Sequence, residues 1–466
     1  MTPRRKRRPR PLPEIPAERL QEVNQWLIDQ DVDDVEVMVT DFAGIPRGKA
    51  MPRLKFIESI QTRGLRLPES IFSMTVSGEY VYQGLVPVTE PDVLLLPQLD
   101  TLVLVPWQNE PTACVICDAY YGTGQPVPFN PREVLRRVIA LYERKGWRPV
   151  IAPEFEFYLL ARRDEPDAPP AVPRGRSGRV DCGIDSFSID GVDEFGVLFD
   201  DIYDFCETQR IAIDTLVHEA GPAQFEFNLR HGDPLALADQ SFYLKRLIRQ
   251  AAIKHGMFAS FMAKPYPDHM GSSMHIHQSV EDMATGRNLF ADDAGEDTEL
   301  FHYHIGGLQK YLPAAMPLLA PYMNSYRRIA PGMSAPVNTH WGRENRTVGL
   351  RVPISGPENR RVENRIAGAD VNPYLAIAAS LACGYLGMVE QIRPSRPLRT
   401  SAYEKKSRTL PLHYLEGLEE LEDCEELADV LGAEFVKLFV EVKKLEYHDY
   451  YSVLSPWEIR HLMLNI

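Results

Sequence analysis

Apolar positions fall at helical spacing soon after residue 17, where Leu20, Val23, Trp26 and Leu27 predict a helix beginning near Ala17. Val35-Glu-Val-Met-Val-Thr40 then alternates as a half-buried strand does. Gly44-Ile-Pro-Arg-Gly48 is turn chemistry leading into another short strand. Apolar runs at 93–97, 102–105 and 113–117 predict three more, so residues 17–125 read as a small α+β domain. A Gly- and Pro-rich linker over 122–128 follows, and 126–466 reads as a larger domain. It opens on Asn130-Pro131-Arg132-Glu133: an N-cap, a first-turn proline and a glutamate at the capping-box position. Val134, Leu135, Val138, Ile139 and Tyr142 form that helix's apolar face, and Gly146 ends it. A second Asn-Pro pair, Asn372-Pro373, opens the apolar stretch Leu375 to Met388. Residues 164–179, rich in Pro, Arg and Asp, read as a loop. No run approaches the 18 or so apolar residues of a membrane span, Ser380 to Val389 being too short.

Several predicted strands carry acids where a core strand would carry apolar groups. In Pro153-Glu154-Phe155-Glu156-Phe157-Tyr158, residues two apart share a face. Glu154 and Glu156 therefore project together while the phenylalanines pack behind, and two such carboxylates repel unless a cation lies between them. Hard divalent cations take oxygen ligands of this kind. Glu226 sits between Phe225 and Phe227 in the same manner, with Glu219 just upstream. His275 and His277 share a face of a strand behind the Gly271 turn, and Glu363 follows Arg360-Arg361. The arginines Arg327, Arg328, Arg343, Arg346, Arg351, Arg360, Arg361 and Arg365 crowd the same half of the chain, a set suited to phosphate and carboxylate. No P-loop or Gly-x-Gly-x-x-Gly is present, so an ATP user of this sequence would hold phosphates with metals and arginine.

Composition narrows the partners. The 466 residues carry 51 Lys and Arg against 65 Asp and Glu, a net charge of −14, which disfavours nucleic acid. Residues 1–16 differ, with six basic side chains in the first ten and no apolar run behind them; they read as a solvated, disordered tail. Six cysteines are too few for a disulfide scaffold, and Cys114 and Cys117 lie in an apolar strand. They read as buried core thiols, and a reducing, cytoplasmic location is the expectation.

The ordered set Glu154-x-Glu156, Glu219 to Glu226, Lys264-Pro265, Gly271-Ser-Ser-Met-His275, Asn324-Ser-Tyr-Arg-Arg328, Ala335-Pro336, Asn345-Arg346 and Glu363-Asn-Arg365 resembles the glutamine synthetase family over about residues 35–390. The resemblance implies an N-terminal β-grasp domain, a catalytic domain with an antiparallel-strand funnel, and a homo-oligomer, usually a double-ring dodecamer. It implies Glu156, Glu219 and Glu226 around one metal, and Glu154, His275 and Glu363 around a second, either Mg2+ or Mn2+. It implies Arg346, Arg351 and Arg361 on the transferred phosphoryl group of ATP. Gly271, Arg328 and Arg365 would lie around glutamate, and His277 and Ser279 near the nucleotide. The implied reaction makes γ-glutamyl phosphate and then a γ-glutamyl amide.

Two departures bear on the nitrogen donor. Leu67-Pro-Glu-Ser-Ile-Phe72 stands where ammonia-using members carry Asp-Gly-Ser-Ser, and Ser334 stands where they carry a flap glutamate. Met270 replaces a frequent asparagine. With Asn338-Thr-His-Trp-Gly342, these features are similar to the γ-glutamylpolyamine synthetase branch, which implies putrescine, spermidine or another polyamine as acceptor. Glu69 and Trp341 are candidates for the amine pocket. Ethanolamine or a monoalkylamine, ammonia, and a non-catalytic role stay open at this point.

Overall fold

The computed structural model describes residues 11–82, 84–165, 167–183, 186–331, 335–405 and 409–466. The first ten residues of the basic tail and Ser334 lie outside these.

Two sheets organise the chain. The first holds β1 (Asp34–Thr40), β2 (Pro46–Pro52), β3 (Arg66–Pro68), β4 (Asp92–Pro97), β5 (Val103–Leu104) and β6 (Thr112–Tyr120). Its order is β2-β1-β6-β4-β3, with β5 also on β6. The β1–β6 pair is parallel and the rest antiparallel. β6 is buried on both faces, as a continuous apolar run requires. Cys114 and Cys117 lie in it, unpaired, and burial pushes the Cys114 thiol up to about 12. The predicted first helix runs Ala17–Asp29 with Val23 and Leu27 buried.

The second sheet holds β7 (Trp147–Ala161), β8 (Ile213–His218), β9 (Gln224–Leu229), β10 (Met257–Ser260), β11 (Met274–Asp282), β12 (Trp341–Arg343), β13 (Leu350–Val352) and β14 (Val362–Asn364). Its order is β12-β13-β14-β11-β7-β9-β8, with β10 also on β7. Only β12–β13 is parallel.

The helix Pro131–Glu143 starts as the sequence predicts, with the Asn130 side chain accepting from the Arg132 amide at 3.2 Å. Glu133 corrects one detail, since its carboxylate takes Arg136 at 2.7 Å. The second Asn-Pro pair opens the helix Pro373–Glu390, longer than the apolar stretch read from sequence. Its 18 residues are long and apolar enough to cross a membrane, with mean hydropathy 1.2, yet 83% of them are buried inside the protein. It packs on the helix Glu299–Leu319 so closely that a Cβ on Gly307 would come 2.5 Å from the Gly387 Cα.

One hydrophobic core joins both sheets. A buried ionic knot ties the first sheet to three helices: Arg132 reaches Asp118 on β6 at 2.9 Å and both oxygens of Asp239 at 2.9 Å, and Tyr374 donates to Asp239 at 2.7 Å.

Candidate active site

The strand register of the second sheet assembles the site. Glu156 pairs with Glu226 across β7 and β9, and Glu154 lies between Asn228 and His275. Glu363 pairs with His277 on one side and Arg351 on the other. Directly opposed residues share a face, so acids and imidazoles from four strands point into one space, with Arg351 added from a fifth. Behind them Phe155, Phe157, Phe225 and Phe227 are fully buried, with Phe157 stacked on Phe227 at 6.0 Å.

That space is a cavity of about 570 Å³ lined by Glu154, Glu156, Glu219, Glu226, His275 and Glu363, together with Gly271, Arg328, Arg346, Arg351 and Arg365. A neighbouring cavity of about 300 Å³ shares Glu154 and Asn228 and is lined by His277, Ser279 and Arg361. Arg361 thus lines a different cavity from Arg346 and Arg351, and Glu154 lines both. The other arginines of the run go elsewhere: Arg343 and Arg360 pair with Asp297, and Arg327 bonds Tyr450.

Two groups of ligand atoms are close enough to hold a cation. Glu154, His275 and Glu363 form one, and Glu156, Glu226 and His275 the other, each with atoms within 4.8 Å of one another. His275 thus belongs to both, while Glu219 lines the cavity at greater distance. Burial, then the charges of Glu154, Glu156 and Glu219, raise the Glu226 carboxyl well above its ordinary value. Burial and then the Glu219 charge push Glu156 up to about 8, against hydrogen bonds from Ser273. Acids so burdened, with oxygen donors and one imidazole, fit a hard divalent cation. The second group is differently balanced. Burial opposes the charge of Glu154, yet the bonds from His275 (3.1 Å) and His277 (2.8 Å) hold it below the usual range. Burial likewise opposes Glu363, but Arg365 leads the groups holding it at about 2. Arg361 donates to Nδ1 of His277 at 3.1 Å, which leaves the proton on Nε2 for Glu154.

Two of the arginines converge on one carboxylate. Arg351 binds Glu363 at 2.8 Å and Arg365 binds its other oxygen. The Nε of each has no partner among the described residues. Gly271 is demanded by close approach, since a Cβ there would lie 2.4 Å from Cγ of Arg328 and 2.6 Å from the Ala263 carbonyl. Met270 also lines the cavity.

Two predicted residues are not brought to it. Glu69 is buried beside the first sheet, just after β3, where it accepts from Tyr121 at 2.6 Å. Trp341 is 3% exposed; its indole donates to the Ser395 carbonyl at 2.7 Å and it packs on Phe301 and His302. Aromatic bulk on a short terminal strand fills the core there rather than a pocket. Conversely, the structure adds residues that sequence reasoning passed over. Ser273 holds both oxygens of Glu156, by its amide at 2.9 Å and its hydroxyl at 2.6 Å. Asn228 and Phe187 line the cavity as well. Asn228 was legible as the polar partner two positions from Glu226; nothing local marks Phe187.

Known proteins carry the same organisation. The profile of the glutamine synthetase catalytic domain matches residues 128–462. γ-Glutamylputrescine synthetase PuuA of Escherichia coli (strain K12) is 35% identical over 439 residues, 92% of each chain. A glutamate–isopropylamine ligase of Pseudomonas sp. is 33% identical over 94% of this chain and 96% of its own. The solved structure of apo GmaS without ligand superposes with a TM-score of 0.81 at 25% identity, over 95% of this chain and 99% of that one. Register, ligand groups and these likenesses agree: the chain belongs to the glutamine synthetase family.

Proposed function

We propose that this protein is an ATP-dependent ligase that joins the γ-carboxylate of L-glutamate to an amine, with putrescine, spermidine or a related polyamine as the preferred acceptor. The observation that carries the reading is the paired cavities on one sheet face, one lined with acids and arginines, the other with His277, Ser279 and Arg361. The similarity to proteins named for glutamylating putrescine and isopropylamine supports an alkylamine acceptor.

In this reading ATP lies with its base end toward His277 and Ser279 and its phosphates toward Glu154. Arg361 and Arg351 flank the γ-phosphoryl group from the two sides of Glu154, and Arg346 approaches from the mouth, spreading positive charge over its oxygens. Arg328 and Arg365 hold the glutamate carboxylates, and Gly271 lines the same side of the cavity while letting Arg328 pack close against it. Bound Mg2+ or Mn2+, held by Glu156, Glu219 and Glu226 and by Glu154, His275 and Glu363, would supply the Lewis acidity that phosphoryl transfer to a carboxylate needs. The amine nitrogen then displaces phosphate from γ-glutamyl phosphate. The boundary near residue 125, between β6 and the helix at Pro131, belongs to this proposal, as does a cytoplasmic setting, supported by six unpaired thiols.

Phosphate release with ATP, Mg2+ and glutamate across ammonium, putrescine, spermidine, ethanolamine and isopropylamine tests the reading, with product mass confirmed. Turnover with polyamines far above ammonium is the expected result. Turnover with ammonium alone would overturn the acceptor, and none with any amine would overturn the ligase.

A further inference from the structure

Beside the cavity, outside every residue assigned to it above, lies a buried histidine with a carboxylate partner. His218 ends β8 immediately before Glu219 and is 2% exposed. Its Nδ1 donates to the Glu219 carbonyl at 2.8 Å, because a carbonyl can only accept. Its Nε2 lies 2.9 Å from Oδ2 of Asp181. That same oxygen accepts from the Ala223 amide at 2.6 Å, and Oδ1 accepts from Gly183 at 2.7 Å. The ring cannot slide. Phe225 stands edge-on at 4.9 Å, and Gly191 lies so close that a Cβ there would be 2.7 Å from Cδ2.

Two cavity residues hang from this arrangement. Glu219 follows directly, with its own amide fixed to the Gln224 carbonyl at 2.8 Å. Phe187 donates its amide to the His218 carbonyl at 2.8 Å. It holds a left-handed backbone, φ +63°, which a bulky residue adopts only where its surroundings enforce it. The residue is 71% exposed although it lines the cavity, so it stands at the opening. An exposed aromatic face beside buried acids suits the hydrocarbon and ammonium groups of an alkylamine.

We propose that Asp181 and His218 are a positioning pair that sets Glu219 inside the cavity and Phe187 at its mouth, where Phe187 contacts the acceptor amine. The inference deepens the ligase reading and rests on it for the amine. The carboxylate–histidine pair touches neither the nucleotide side nor the phosphoryl arginines. Its loss therefore acts on cation affinity and amine affinity, and spares ATP.

The test uses the full chain with Asp181→Asn, His218→Gln, Phe187→Ala and, as control, Cys182→Ser. Mn2+ binding is followed by electron paramagnetic resonance without substrates, and KM for ATP and for the amine are measured separately. Partners of this kind typically change metal affinity by about 10-fold or more. D181N and H218Q are expected to weaken Mn2+ binding by about that factor and to raise the amine KM several-fold, leaving the KM for ATP near wild type. F187A is expected to raise the amine KM alone, and C182S to change nothing. Wild-type Mn2+ binding in a folded D181N protein would overturn the positioning role, and an unchanged amine KM in F187A would overturn the contact. If H218Q does not fold, D181N, which preserves shape and removes charge, decides the matter. Since Mn2+ binding is read without turnover, wild-type protein that binds Mn2+ but ligates no amine would sink the ligase reading and leave the positioning role still measurable.

Discussion

Ser273 shows how finely the site depends on single groups. Its amide and hydroxyl are the donors that hold the buried Glu156 carboxyl in place. Ser273→Ala removes one of them, and we expect kcat/KM to fall about tenfold, ~1.4 kcal/mol of transition-state stabilisation. Thermal stability should change little, and steady-state kinetics beside a melting curve would separate the two. His304 makes a different point. It is wholly buried against Phe290, both ring nitrogens lack partners among the described residues, and burial pushes it down to about 3. The folded ring stays neutral while the unfolded one titrates near 6.5. Its contribution is thus complete above pH 6.5 and is lost as pH falls toward 3, at up to ~1.4 kcal/mol per pH unit. Denaturant unfolding at pH 7.5 and 5.5 should show a steeper loss in wild type than in His304→Leu.

Among the elements, the junction of the first sheet with the helices is the most sensitive to mutation. Arg132 leaves β6 and the helix at Pro234–Lys254 joined through Asp118 and Asp239, all buried. Removing one partner strands buried charge, so Arg132→Ala should cost ~3–5 kcal/mol in chemical unfolding. The helix Glu299–Leu319 shows why some elements were not read from sequence. It is apolar on most sides and carries Pro313 and Pro317, so its pattern lacks the two-faced period that marks a surface helix. The strand β7 runs to 15 residues, far beyond the acidic hexamer, because it pairs with three neighbours in turn.

For the whole molecule, the C-terminal segment is informative. Val453, Leu454, Trp457, Met463, Leu464 and Ile466 are each more than 60% exposed. Large apolar side chains left in water at this density are the kind that subunit contacts cover. The double-ring dodecamer that the family resemblance implies would place such side chains between subunits. Light scattering should give a mass near twelve chains of 52.9 kDa, and Trp457→Asp should lower it.

Chemistry repeated at strand spacing was settled by the sequence. Glu154 and Glu156 had to share a face, as did His275 and His277, because a strand alternates whatever surrounds it. The Asn-Pro helix starts and the buried thiols of β6 were fixed locally in the same way. Tertiary structure decided what lies between strands far apart in the chain: the sharing of His275 by two ligand groups, the placing of Arg361 and Arg351 in neighbouring cavities, and the burial of Trp341 outside the cavity lining. It also decided the bond from His218 across to Asp181. Such relations follow from register and packing between distant segments, and no local pattern of side chains encodes them.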